Sequence, residues 1–132
     1  MTNYNTSSLS QVTVTAGEAI PIYRFMQLQA DGFYDVADDA QGVAQGVSAE
    51  AISSAEFTAG RTAIAMQLPM GIVKVEAGAA VTRGGAVATD TVGRVIDHTT
   101  TAGNYILGWA LESASAAGEI IAVQMCVHQD GA

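Results

Sequence analysis

The chain is poor in positive charge. Of 132 residues, 5 are Lys or Arg and 13 are Asp or Glu, for a formal net charge of −8. Nucleic-acid binding needs clustered basic side chains that displace counterions from phosphates. Arg24, Arg61, Lys74, Arg83 and Arg94 are scattered, so no nucleic-acid partner is expected. The one cysteine, Cys126, leaves no internal disulfide and no CxxC metal or redox site. Aromatic residues make up 6% of the chain and Trp109 is its only tryptophan. A sugar-binding face would present several aromatics, so Trp109 reads as core or interface packing. No apolar run approaches the ~18 residues of a spanning helix, so no membrane partner is expected. The start, MTNYNTSSLS, has neither a basic region nor an apolar core, so no leader peptide is expected. The protein should be soluble where it is made.

What is present is small and apolar. Hydrophobic residues make up 49% and charged residues 14%, unlike a disordered chain. Length sets one domain with one core. Much of the apolar content is Ala, which makes a thin core and leaves interfaces to supply part of the burial. Residues 1–10 read as a flexible N-terminal arm, and 11–132 as a single β-domain. From Gly71 to Gln124, β-branched runs alternate with glycine-bearing breaks. Such runs are too short for good helices and read as strands and tight turns. Upstream, strands are expected at 11–15, 20–28, 33–37, 43–47 and 62–68. Asp31-Gly32 is expected to form a primed hairpin turn. Ser53 and Glu56 have capping-box spacing, which allows one helical turn before Gly60.

The chain also repeats itself. AGEAI (16–20) matches AGAAV (77–81), and DGFYDV (31–36) lies opposite VGRVID (92–97). QGVSAE (45–50) lies opposite LGWALE (107–112), and AGRTAIAMQ (59–67) opposite AGEIIAVQ (117–124). Gly17, Gly32, Gly46 and Gly60 thereby pair with Gly78, Gly93, Gly108 and Gly118. Two copies are too few for a solenoid. The expectation is an all-β fold: a small β-barrel or sandwich of short strands, built from two pseudo-repeated halves with pseudo-twofold symmetry.

Catalytic patterns are weak. Asp35, Asp38 and Asp39 are the densest acidic group but lack EF-hand spacing, and read as a solvated loop. Asp97-His98 has no presented nucleophile to serve, and Cys126 lies in an apolar final strand. His98 and His128 are expected to be structural. Gly84-Gly85 opens no phosphate loop and reads as a hairpin or bulge. No catalytic residue, cofactor or metal is expected, and the chain is read as a non-enzyme.

GIVKVEAGAAVTRGGAV, then VGRVID, then ILGWALESASAAGEIIAVQM, is similar to the capsid cement (head decoration) proteins of tailed bacteriophages. Residues 71–87, 93–96 and 106–123 carry the likeness, and 17–47 fits the family's N-terminal half more loosely. The strand around 23–26 and the polar tail depart from it. The resemblance implies a β-rich homotrimer that binds the major capsid protein on the outer face of an assembled head and stabilises it. That places the protein in the virion after synthesis in the host cytoplasm. Tyr4, Leu9, Phe25, Met26 and Trp109 are the candidate capsid or subunit contacts. The competing class is a small ligand- or glycan-binding β-barrel.

Overall fold

The computed structural model describes residues 11–129. The first sheet is built from β1 (Gln11–Thr15), β2 (Phe25–Leu28), β3 (Tyr34–Val36), β4 (Gly46–Ser48) and β5 (Ala63–Gln67). A short helix, α1 (Ser54–Thr58), lies between β4 and β5. The second sheet holds β6 (Met70–Glu76), β7 (Ala86–Thr89), β8 (Val95–Asp97), β9 (Tyr105–Ala110) and β10 (Ile120–Gln129). The strand orders are β1-β5-β4-β2-β3 and β6-β10-β9-β7-β8, with antiparallel ladders throughout. The two halves therefore share one topology.

The likeness extends to single bonds. Ala16 makes a parallel bridge to Tyr34 and Ala77 to Val95; Ile20 bridges Ile52 and Val81 bridges Ala114. Gly17 N–H donates to the Tyr34 carbonyl and Gly78 N–H to the Val95 carbonyl, both at 2.9 Å. The Glu50 carboxylate accepts from Ala65 N–H at 3.0 Å, and Glu112 from Ala122 N–H at 2.8 Å. Gly46 and Gly108 are forced by the same close approach. A Cβ there would stand 2.4 Å from the Gln67 carbonyl oxygen and 2.0 Å from that of Gln124.

In each half the bridge after the first strand reaches the far edge strand. Each sheet is thus curled, with an inner and an outer face, but neither closes into a barrel. Successive side chains alternate between faces. Val14, Met26, Ile64 and Met66 fill the inside of the first curl with Ile20 and Ile52. Val75, Val87, Ile121 and Val123 fill the second with Val81 and Ala114. On the outer side of the first sheet, Phe25 and Val47 join the second half's core. One half therefore presents its outer face to the other.

Three sequence expectations change. The strand over 20–28 shrinks to β2 because Tyr23 takes φ +64°, which no strand accommodates. Asp31-Gly32 does not form a primed turn. Gly32 alone has positive φ, with Gln29 N–H donating to the Phe33 carbonyl at 2.8 Å, the three-residue hairpin loop. The pseudo-twofold relation fails because the joint uses different residues from each half. α1 carries the expected capping box between Ser53 and Glu56. Its insertion shortens the repeat offset from 62 (Val47 to Trp109) to 57 (Gln67 to Gln124).

Candidate interaction surface

The joint between halves is made by residues 23–25 and 41. The Tyr23 carbonyl accepts from Glu76 N–H at 2.9 Å, and Phe25 N–H donates to the Gly93 carbonyl at 2.7 Å. Arg24 lies between these bonds. Its Nη1 donates to the Val92 carbonyl at 3.0 Å, and its Nη2 is 3.3 Å from both Glu76 carboxylate oxygens. Gln41 N–H donates to the Thr89 carbonyl at 2.9 Å, and the Gln41 carbonyl accepts from Tyr105 N–H at 2.8 Å. The Gln41 side-chain carbonyl also accepts from Thr99 N–H at 3.0 Å.

Tyr23 and Gln41 are the two non-glycine residues with positive φ among those described, at +64° and +61°. Their counterparts 61 and 62 positions later are Gly84 and Gly103, at +83° and +94°. The left-handed backbone belongs to the shared fold, and glycine fills it where no joint is made. A side chain there costs ~1–3 kcal/mol and persists only when its surroundings fix it. At Tyr23 the buried Ser48 supplies that fixing. Its carbonyl accepts from Tyr23 N–H, its hydroxyl donates to the Pro21 carbonyl at 2.7 Å, and Arg24 N–H donates to the same hydroxyl at 3.0 Å.

The second feature is a row of side chains across the outer face of the second sheet. The registers Ile72–Gln124, Gln124–Trp109 and Ala86–Trp109 set these four on one side. Trp109 is 42% exposed, and Met70 and Ile120 lie on the same side at 53% and 42%. The matching row of the first sheet is Gln11, Gln67, Val47 and Phe25. There Gln67, Val47 and Phe25 are buried, because the second half covers them.

Of the expected contact residues, only Trp109 reaches this surface. Phe25 and Met26 have no exposed area. They point to opposite faces of β2, Phe25 into the joint and Met26 into the first core. Within the single chain they are packing residues. Tyr4 and Leu9 lie outside the described residues. Sequence reasoning missed Arg24 and Gln41, although each departs from the small residue its repeat partner carries, Gly85 and Gly103.

Several titratable groups are tied into the hydrogen bonds of the fold. Burial raises Glu18 above its ordinary value, against the Val36 N–H that donates to it, and the Asp35 and Asp38 charges add to the rise. Burial likewise raises Asp35, with Asp31 and Asp38 contributing. The Asp97 carboxylate accepts from Thr82 N–H, His98 N–H donates to the Ala86 carbonyl, and His128 Nδ1 lies 3.2 Å from the Cys126 carbonyl. Among the described residues no three His, Cys, Asp or Glu side chains are grouped to hold a metal ion. A cavity of about 150 Å³ sits at the joint, between Tyr23, Ser48 and Gln67 on one side and Val73 and Lys74 on the other. A shallower hollow of about 450 Å³ runs past Pro21, Ile52 and Ser53. Neither has a cluster of aromatic side chains.

Comparison with known proteins gives a consistent answer. No curated protein matches the chain in sequence. Among solved structures it is similar to the N base of the head fiber protein gp8.5 of bacteriophage phi29. The TM-score is 0.68 at 17% identity, over 88% of this chain and 92% of that one. At that identity the likeness concerns the fold. A family model described as phage cement protein matches residues 5–125. That span runs through both halves of the repeat and ends in β10, so the chain belongs to the phage cement protein family and its role is that of a capsid cement protein.

Proposed function

We propose that this protein binds the outer face of an assembled phage head as a homotrimer, contacts the major capsid protein there, and braces the shell without catalysing a reaction. The family match over residues 5–125 carries the reading. The physical chemistry supports it. A chain with net charge −8 gains nothing from packaged DNA and suits the solvent side of a shell. Among the described residues both curls are filled by apolar side chains, where a binding barrel would hold its ligand. The exposed Trp109 face offers a surface to a partner. Residues 2–10 join in fastening the protein, either to a neighbouring subunit or to the shell.

The test is to add purified protein to finished, undecorated heads of the phage that encodes it. Saturable co-sedimentation, removable by protease added outside intact heads, is the expected result. Failure to bind, or binding only when present during assembly, would count against an outer cement.

A further inference from the structure

The joint inside the chain is heterologous. The first half gives its outer face, with the Tyr23 carbonyl and the Phe25 N–H; the second gives an edge, with the Glu76 N–H and the Gly93 carbonyl. A twofold joint would use the same residues from both halves. A heterologous one consumes one face and one edge and leaves one of each unused. The repeat identifies the unused pair. Tyr23 and Phe25 correspond to Gly84 and Ala86 on the outer face of the second half, and Glu76 and Gly93 correspond to Thr15 and Gly32 at the edge of the first.

Both unused surfaces carry exposed large apolar side chains. Trp109 stands where the first half has the buried Val47, and Met70 and Ile120 flank it. The unused edge carries the β2–β3 hairpin, where Leu28 is 44% and Phe33 45% exposed. The Arg24–Glu76 ion pair has no counterpart, because Gly85 and Thr15 occupy those positions. The equivalent contact between chains would therefore lack that ion pair and lean on these apolar side chains.

We propose that the outer face of the second sheet, centred on Trp109, binds the Gly32–Phe33 edge of a second copy of this chain, repeating head to tail the joint that already exists within it. Thr15 N–H of one copy then meets the Gly84 carbonyl of the next, and Ala86 N–H meets the Gly32 carbonyl. Heterologous contacts of this kind close into a ring when the rotation per copy divides a full turn. The proposal names the subunit contact for the assembly put forward above, yet it stands on the internal repeat and not on the capsid reading.

A complementation experiment tests it. Trp109→Glu spoils the face and keeps the edge; Phe33→Glu spoils the edge and keeps the face. Both positions are exposed, and Gln124→Arg, beside Trp109 in the row, serves as a second face variant. Circular dichroism and a cooperative melt verify folding. By light scattering at about 50 µM, wild type should be oligomeric. Each variant alone should fall to the single-chain mass of 13.5 kDa. An equimolar mixture of a face variant and the edge variant should recover a dimer, since one intact face then meets one intact edge. A monomeric wild type overturns the proposal and leaves the face to residues 1–10 or to the shell. Face variants that keep the wild-type mass also overturn it. So does an edge variant that keeps the wild-type mass while the face variants dissociate, which would mark a face-to-face contact, and so does dissociation of both without rescue on mixing. Because head binding is measured separately, an intact oligomer that ignores heads contradicts the cement reading alone.

Discussion

Arg24 is the side chain through which the two halves are most directly joined, and replacing it with methionine isolates that role. Methionine keeps much of the aliphatic stem and removes the guanidinium. The guanidinium makes one bond to the Val92 carbonyl and an ion pair to Glu76, with side chains only 16% and 24% exposed. At 3.3 Å the gross Coulomb attraction is about 5 kcal/mol for an effective dielectric of 20. Desolvation of both partners cancels most of this. The charged bond to the carbonyl adds ~1.5–3 kcal/mol at most. The expected net loss for Arg24→Met is about 2 kcal/mol, on the order of 5–10 °C in melting temperature for a chain of this size. Urea denaturation of Arg24→Met, Glu76→Gln and the double variant gives the pair's own share, expected at roughly 0.5–1.5 kcal/mol. A loss below about 0.5 kcal/mol with no coupling would mean that the halves are held by Phe25, Val47 and the hydrogen bonds of Tyr23, Phe25 and Gln41, and the electrostatic account of the joint would be wrong.

Other substitutions probe separate parts of the account. Gly108→Ala places a Cβ against the Gln124 backbone, which cannot yield without parting β9 from β10, so it should cost more than about 3 kcal/mol or abolish folding. Gly84→Ala meets open space and pays only for its positive φ, about 1–2 kcal/mol by thermal melting. Glu18→Gln keeps an acceptor for Val36 N–H while removing a charge whose folded value is raised. A raised carboxyl binds its proton more tightly in the folded state. Its favourable share is full below the ordinary 4.5 and is lost as pH rises through the folded value. The variant should therefore melt higher than wild type near pH 7, with the gap closing towards about pH 4; a gap that widens on acidification contradicts the assignment. Deletion of residues 2–10 should leave the melt unchanged and lower occupancy on heads, read by co-sedimentation.

Much of the fold was legible because the repeat is written in positions where backbone geometry leaves little choice. Gly32 and Gly93 sit in the same left-handed loop, and Gly46 and Gly108 in the same close approach, so their spacing announced two equivalent halves. The capping box at Ser53 and Glu56 was legible for the same local reason. What the sequence hid is the relation between the halves. A repeat says that two units are alike but not whether they meet by matching faces or head to tail. Tyr23 and Gln41 held a clue, since each replaces a glycine of the other copy without losing the positive φ. That clue becomes readable only once the φ angles are known. Phe25 and Met26 looked like spare apolar surface because alternation does not reveal that both faces of β2 are covered. Trp109 read as core or interface because its counterpart Val47 lies in an apolar strand; it is exposed because, among the described residues, nothing covers the outer face of the second sheet as the second half covers Val47.

Bracing of the shell is tested most directly by heating DNA-filled heads with a DNA-binding dye, with and without saturating protein. A cement protein adds binding free energy to the intact shell that is absent from the ruptured one, so the temperature of DNA release must rise with occupancy. The account expects an upward shift of several degrees that saturates when binding does. Heads that are fully decorated yet release DNA at an unchanged temperature would contradict it.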